Sequence, residues 1–492
     1  MNILKYFIVF SALVTLSSCN DWLDIQPVDT TTETTLFETG DGYRNALNGI
    51  YRQISVSSVY GKVLSWGELD AMAQIYNMKD LPGRAETYFS SYEYSSMDAV
   101  GTVQTVWSTI YNSIANCNNI IQRIEKESPT KFAKGEEEMK LIHGEALALR
   151  AFLHFEILRL FAPYVDINDM DDSRNSIKNI PYVTTYPCTF QEYSTNKEIL
   201  EKIRIDLLQA KQLVGVFDIP RKLWFQTSVR FENNHQQLQE KPTDLFFAYR
   251  GYRLNYYAIC GLLSRAYLYS GMYKEAYDET EDIIKLSSKD SPSEYYRIFK
   301  FSAYYSVPAD GNSKFYDDIL FCLSNQKLEE NYKNYRTDAK LYLNASDPKK
   351  DWYGGESSDV RAKQITIEGG SKYYCNKNLN PGTGSKFQYA KDMLPMIRLS
   401  ELYLTRAEYY YRLGNNEAAA TEIKKITEAR GCYSNVDTSP ANWFTTTILS
   451  EARKEFLGEG QLFHYYKRFN IKPTGMVGEK QFYFPLPDNE SF

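Results

Sequence analysis

The chain has 492 residues, of which 43% are hydrophobic, 24% charged and 15% aromatic. That apolar content excludes a disordered chain, and seven cysteines are too sparse for a disulfide scaffold. A net charge of -6, with acids and bases interspersed, argues against nucleic acid as the main partner, while 41 tyrosines supply rings for packing and for contact surfaces.

In chain order, Lys5 gives a short basic start and Tyr6–Leu16 is an apolar run broken only by Ser11 and Thr15. The run is too short to span a bilayer and fits an export signal. It ends in Leu16-Ser17-Ser18-Cys19, which looks like a bacterial lipoprotein cleavage box, so residues 1–18 read as signal peptide and Cys19 as the lipid anchor. Residues 19–35, polar and Thr-rich, read as an extended tether, and residues 36–492 as one body. The other cysteines, Cys117, Cys188, Cys260, Cys322, Cys375 and Cys432, have no C-x-x-C spacing and are taken as free thiols.

Helical patterns dominate the body. They cover Leu36–Ser55, Val106–Glu127 and Glu136–Phe161, the last with Ile142, Ala146, Leu149, Leu153 and Ile157 on one stripe. Asn196 is placed to cap the next helix, which buries Ile199, Ile203, Leu207 and Ala210. Two later segments repeat one another. Ser264 and Ala407 each sit seven residues before a glycine (Gly271, Gly414), and Ala276 and Ala419 each sit five after it. That is tetratricopeptide spacing: small residues let paired helices approach, and glycine permits the tight turn. With a weaker third match around Ala151, the fold class is mainly α, a superhelical stack of helix pairs with long irregular loops and a few short strands. Strands are expected at Asp318–Leu323 and Gln364–Ile367. The loop-rich subregion is about 290–390, where function is expected to reside.

Several segments together resemble the SusD/RagB family of outer-membrane nutrient-uptake lipoproteins. They are Cys19–Asp24 with Gln26-Pro27; Trp107, Tyr111 and Asn116; Leu149-Arg150-Ala151 running to Leu160–Tyr164; Ile397–Leu404 with Arg406-Ala407-Glu408; Glu451–Gly460; and Pro485-Leu486-Pro487. Ala452, Leu462 and Tyr465 depart from that family's pattern, where Arg, Arg and Asp are usual, so an Arg–Asp contact is expected to be replaced by apolar packing. The resemblance implies a lipoprotein of the outer membrane facing the cell exterior. It would bind an oligosaccharide and help deliver it into a SusC-like TonB-dependent barrel transporter, with no catalytic centre and no cofactor. Some members serve peptides, which leaves a peptide ligand as an alternative; a helical-toroid glycoside hydrolase is another.

The residues themselves carry no familiar catalytic pattern. None of His143, His154, His235 and His464 forms an H-E-x-x-H pair, and no P-loop or G-x-S-x-G elbow occurs. The acidic run Asp166–Asp172 fails calcium-loop spacing. Glu455 and Glu459, one turn apart in the C-terminal helix, are expected to join a structural ion network with Arg453 and Arg468. Sugar binding needs flat rings beside fixed polar groups. The aromatics outside helical stripes are therefore the candidates: Trp352 and Tyr353 beside Gly354-Gly355, Tyr373 and Tyr374 beside Asn376, Tyr304 and Tyr305, Tyr76 beside Asn77, and Tyr92 and Tyr94, which the resemblance places near the ligand face. Trp107, Tyr111, Tyr256, Tyr267, Tyr403 and Tyr410 lie on helical stripes and are expected in the core.

Overall fold

A computed structural model describes residues 33–78, 83–169, 171–236, 238–287, 298–338, 341–356, 358–380, 387–436, 443–488 and 490. The signal segment and Cys19 lie outside the described residues. The tether was expected to run extended to residue 35. Instead Glu33–Leu36 forms one helical turn, with Glu33 paired to Arg123 at 2.5 Å.

Helices pack on their chain neighbours in sequence order: α1 (Gly40–Ile54), α2 (Met97–Ile124), α3 (Gly135–Phe161), α4 (Asn196–Asp218) and α5 (Tyr256–Tyr269). Side-chain oxygens start each of several helices by taking a free backbone N–H: Thr39 from Gly42, Ser96 from Ala99 and Asn255 from Ala258. The cap of α4 is Thr195, in a reciprocal box with Glu198, and not Asn196. Asn196 is buried one residue inside the helix. Its amide donates to the Pro163 carbonyl at 2.8 Å, so tertiary packing takes the side chain that spacing offered to the cap.

Helix α3 is the centre of the stack. Beyond Leu141 it is buried on nearly all sides rather than along one stripe, because α2 and α4 both cover it. Its polar residues are paired inside: Arg150 reaches Asp206 of α4 at 2.7 and 2.8 Å, and Glu145 accepts from Arg250 and Arg253 at 2.5 and 2.8 Å.

The two repeats form the expected hairpins. Gly271 (φ +72°) turns α5 into α6 (Tyr273–Asp278), and Gly414 (φ +75°) turns α8 (Leu399–Arg412) into α9 (Asn416–Ala429), with α7 (Glu281–Ser287) between them in the chain. The fully buried Ser264 hydroxyl donates to the Ala276 carbonyl at 2.8 Å, a contact that needs a short side chain; Ala407 and Ala419 are likewise fully buried. Beyond Ala276 the expected single helix divides into α6 and α7 at Thr280, whose hydroxyl donates to Tyr277 O at 2.6 Å and accepts from Arg406. Two short helices, α10 (Leu449–Glu455) and α11 (Leu462–Arg468), follow. No helix among the described residues is long and apolar enough to cross a membrane.

Among the described residues three antiparallel pairs interrupt the helices: β1 (Lys178–Pro181) with β2 (Tyr193–Thr195), β3 (Ile319–Ser324) with β6 (Met393–Arg398), and β4 (Ile365–Glu368) with β5 (Lys372–Cys375). Strands β3 and β4 are those the sequence suggested. β3 is buried from Ile319 to Leu323 and pairs with β6, which runs directly into α8 and sets Arg398 at the junction.

Candidate functional site

The loops that could meet a ligand are pinned from below by one carboxylate. Glu455, the last residue of α10, is fully buried and receives Arg361 at 2.9 Å, Arg398 at 2.9 Å and Arg430 at 2.8 and 2.9 Å. Those cations come from the loop before β4, from the β6–α8 junction and from the end of α9. Arg430 also holds Asp318 beneath β3, Arg361 grips Asp359 at 2.7 and 2.9 Å, and Arg398 reaches Glu459 at 3.0 Å, which Lys377 also binds. Burial alone would push the Glu455 carboxyl up. The Arg430, Arg398 and Arg361 guanidiniums outweigh it and hold it well below the usual carboxylate range.

The network is structural, as expected, but its partners differ from those expected. α10 ends at Glu455, so Glu459 lies in a turn beyond it, while Arg468 pairs with Glu408 and Arg453 donates to the Tyr466 hydroxyl. Around the departures from the family pattern, Ala452 and Leu462 are buried and Tyr465 stacks on Phe456 at 5.9 Å.

Above this frame three loops meet at Gly431. The Val360 N–H donates to the Arg430 carbonyl at 3.0 Å. Gly431 has φ +85°, and a Cβ there would lie 2.6 Å from the Ser358 carbonyl oxygen and 3.8 Å from the Tyr304 ring. Only glycine permits this approach. Tyr304 and Tyr305 meet edge to face at 5.8 Å and are 47% and 66% exposed; Tyr433, two residues past Gly431, is 66% exposed. Beside them Glu356 accepts from Ser434 at 3.1 Å and Ser358 at 3.3 Å. Exposed rings beside a carboxylate and hydroxyls form a surface that can stack on sugar C–H faces and bind their hydroxyls.

Residues 21–218 match the family model described as starch-binding associating with outer membrane, and residues 323–485 match the SusD family model. The chain belongs to the SusD/RagB family. A SusD-like protein P2 of Formosa agariphila is 27% identical over 214 residues, 42% of this chain and 38% of that relative's length. A SusD superfamily protein of Bacteroides thetaiotaomicron shares the fold with a TM-score of 0.67 at 24% identity, over 92% of this chain and 97% of that one. A laminarin-binding SusD-like protein does so with a TM-score of 0.61 at 16% identity, over 92% and 97%. The mainly helical repeat architecture expected from the sequence is thus the SusD architecture.

On this SusD fold the candidate rings divide sharply. Tyr304 and Tyr305 are exposed. Trp352 is half-buried under the Arg453 guanidinium at 5.8 Å, and its loop joins the face through Glu356. Tyr353, by contrast, is buried at 4% exposure. Tyr76 is core: its hydroxyl donates to Trp66 O at 2.7 Å, and residues 75–77 pair with 342–344, which in turn bond the Tyr373 carbonyl. Tyr373 is half-buried on that ladder, and Tyr374 is buried beneath Arg336 at 4.7 Å. Tyr92 is spent on Met72 O at 2.8 Å and Tyr94 on Gln481 O at 2.6 Å. Tyr76, Tyr92, Tyr353 and Tyr374 therefore cannot stack on a ligand without unpacking, and Tyr94 contributes its ring to Phe89 and Phe484. Of the rings assigned to the core, Tyr111, Tyr256 and Tyr410 are only half-buried. The sequence reading missed Tyr433, although it obeys the same rule: an aromatic outside the helical stripes, close to the polar Ser434 and Asn435.

A second aromatic concavity, of about 920 Å³, lies between the Gly271 and Gly414 turns. There Arg412 is sandwiched by Tyr273 at 4.1 Å and Phe444 at 5.0 Å, so those ring faces are already occupied. His154 is also engaged. Its Nδ1–H donates to the Arg150 carbonyl at 2.8 Å, its Nε2 accepts from Val183 N–H at 2.9 Å, and its ring stacks on Tyr182 at 3.8 Å.

Proposed function

We propose that this chain is a non-catalytic surface lipoprotein that captures an oligosaccharide on the Tyr304–Tyr305–Tyr433 face and passes it to a TonB-dependent barrel transporter. The observation that carries the reading is three exposed tyrosines held on loops locked by the Glu455 network, next to Glu356, Ser358 and Ser434. Membership of a family described as starch-binding supports a glucan as the ligand class, and the laminarin-binding neighbour supports β-glucan as the first to try. The absence of a catalytic role is supported by the state of Glu455 and Glu459: both are engaged by cations, whereas an acid catalyst for glycoside cleavage needs a protonated carboxyl facing the sugar. Cys19 is proposed as the acylated amino terminus.

Calorimetric titration with starch-derived and laminarin oligosaccharides tests the reading. Heat of binding without new reducing ends is expected, and Tyr305→Ala or Tyr433→Ala should each weaken affinity about tenfold, as loss of one stacked ring implies. Unchanged affinity in both would remove this face, and cleavage of the glycan would replace binding by hydrolysis. Cys19→Ala should move the protein from the membrane fraction to the soluble one; continued retention would defeat the anchor.

A further inference from the structure

Between α3, α5, α8 and α11 lies a partly open cavity of about 30 Å³, lined among others by Arg159, Arg265, Tyr269, Glu401 and His464. Phe155 and Leu268 give it an apolar side, and its polar lining is deeply buried: Arg159 is 3% exposed, Arg265 7%, Tyr269 5% and His464 5%. Five of their atoms have no partner, namely Arg159 Nε, Arg265 Nη1, the Tyr269 hydroxyl and both ring nitrogens of His464. Leaving so many buried polar atoms unpaired around one void would cost several times the penalty of a single lost hydrogen bond, so something fills it.

The chemistry of the filler follows from the donor count. The two guanidinium N–H groups, the tyrosine O–H and one imidazole N–H all donate. The only carboxylate lining the cavity, Glu401, is already taken on both oxygens by Arg265 at 2.6 and 2.7 Å. Arg159 spends its other edge on Glu156 and Gln461, and Arg468 spends both terminal nitrogens on Glu408. Next to His464, the buried Lys467 has no carboxylate and donates to the Arg159 and Ala162 carbonyls at 2.5 Å each. The surroundings are electropositive. Burial first, then Arg159, Lys467 and Arg265, push the His464 imidazole well below its ordinary pKa, and burial and Arg159 do the same to Lys467.

The volume suits one halide-sized ion or up to about two waters. Two waters would bring four hydrogens of their own to walls whose unpartnered atoms are mostly donors: two guanidinium N–H groups, a phenol O–H and one imidazole N–H, against a single imidazole nitrogen that can only accept. An anion donates nothing and accepts from all four of those donors. We propose that the cavity is a resident site for a monovalent anion of halide size, cross-linking α3 through Arg159, α5 through Arg265 and Tyr269, and α11 through His464.

Crystals of the full chain grown in bromide, with data collected at the bromine edge, test this directly. A parallel melting series replaces sodium gluconate by sodium chloride at constant ionic strength. An anomalous peak inside the cavity is expected, with saturable stabilisation by chloride. Tyr269→Phe, which removes one donor and leaves the ion pairs intact, should weaken the half-saturation concentration about tenfold. Electron density with no anomalous signal would overturn the proposal in favour of water. A peak without halide-specific stabilisation in solution would be an adventitious ion only, and would overturn it as well.

Discussion

Glu455 is where one side chain decides the most. It is surrounded by Arg361, Arg398 and Arg430, and a buried guanidinium that loses its counter-ion is left as an uncompensated buried charge. Glu455→Gln keeps the shape and removes the charge. It should lower stability by about 3–5 kcal/mol, read as a fall in the denaturation midpoint, and should weaken glycan binding because the loops at Val360 and Gly431 lose their common support. An unchanged midpoint would mean that Asp318, Asp359 and Glu459 suffice to balance the cluster. The exposed tyrosines behave in the opposite way. On the proposed reading, Tyr305→Ala and Tyr433→Ala should weaken glycan binding while shifting stability by no more than about 0.5 kcal/mol. At this scale the sequence told least. It could rank Trp352 and Tyr353 together, yet one is half-buried and the other sealed in. It could not see that Tyr76 spends its hydroxyl on a carbonyl ten residues back or Tyr94 on one near the C-terminal end. Whether a loop ring faces out is settled by such long-range partners, and spacing along the chain carries no trace of them.

At the scale of elements, close approach between paired helices is the governing constraint. Ala407 is fully buried between α8 and the helices packed on it, and α8 packs on both α9 and α6. Ala407→Leu would force three extra carbons into that contact and should cost about 1–3 kcal/mol, measured by chemical denaturation. A neutral result would show that the repeat interface has slack. This part of the fold was legible because it is local: Ser264, Gly271 and Ala276, and again Ala407, Gly414 and Ala419, report a hairpin within a dozen residues. The errors were local rules overruled by tertiary contact, as with Asn196, drawn inward to Pro163, and the break in the second repeat at Thr280.

For the molecule as a whole, buried titrating groups set the response to pH. Burial lowers the His154 pKa from 6.5 to about 3, beyond what its hydrogen bond to Arg150 O restores. The folded state thus prefers the neutral ring, and this stability is complete above about pH 6.5 and drains away as pH falls toward 3, on the order of 4 kcal/mol in total. Asp70 works the other way. Burial raises its pKa to about 7 despite the Gly458 and Gly460 N–H donors at 2.8 and 3.1 Å, so its contribution is complete below about pH 4 and is lost as pH rises through 7. Acid unfolding of His154→Gln should accordingly be flatter than that of the parent between pH 6.5 and 3, measured by urea midpoints across that range. Parallel curves would show that the ring is protonated without cost.

The order of the Glu455 contacts along the chain has a kinetic corollary. Every guanidinium that Glu455 holds precedes it in sequence, so a polypeptide threaded amino end first presents three cations well before their shared anion emerges. Until that late segment arrives, the tyrosine loops have nothing to settle against. Nascent or prematurely terminated chains should therefore assemble the early helices, including α3, and still fail to capture ligand, which makes binding competence a built-in report that synthesis has passed residue 455.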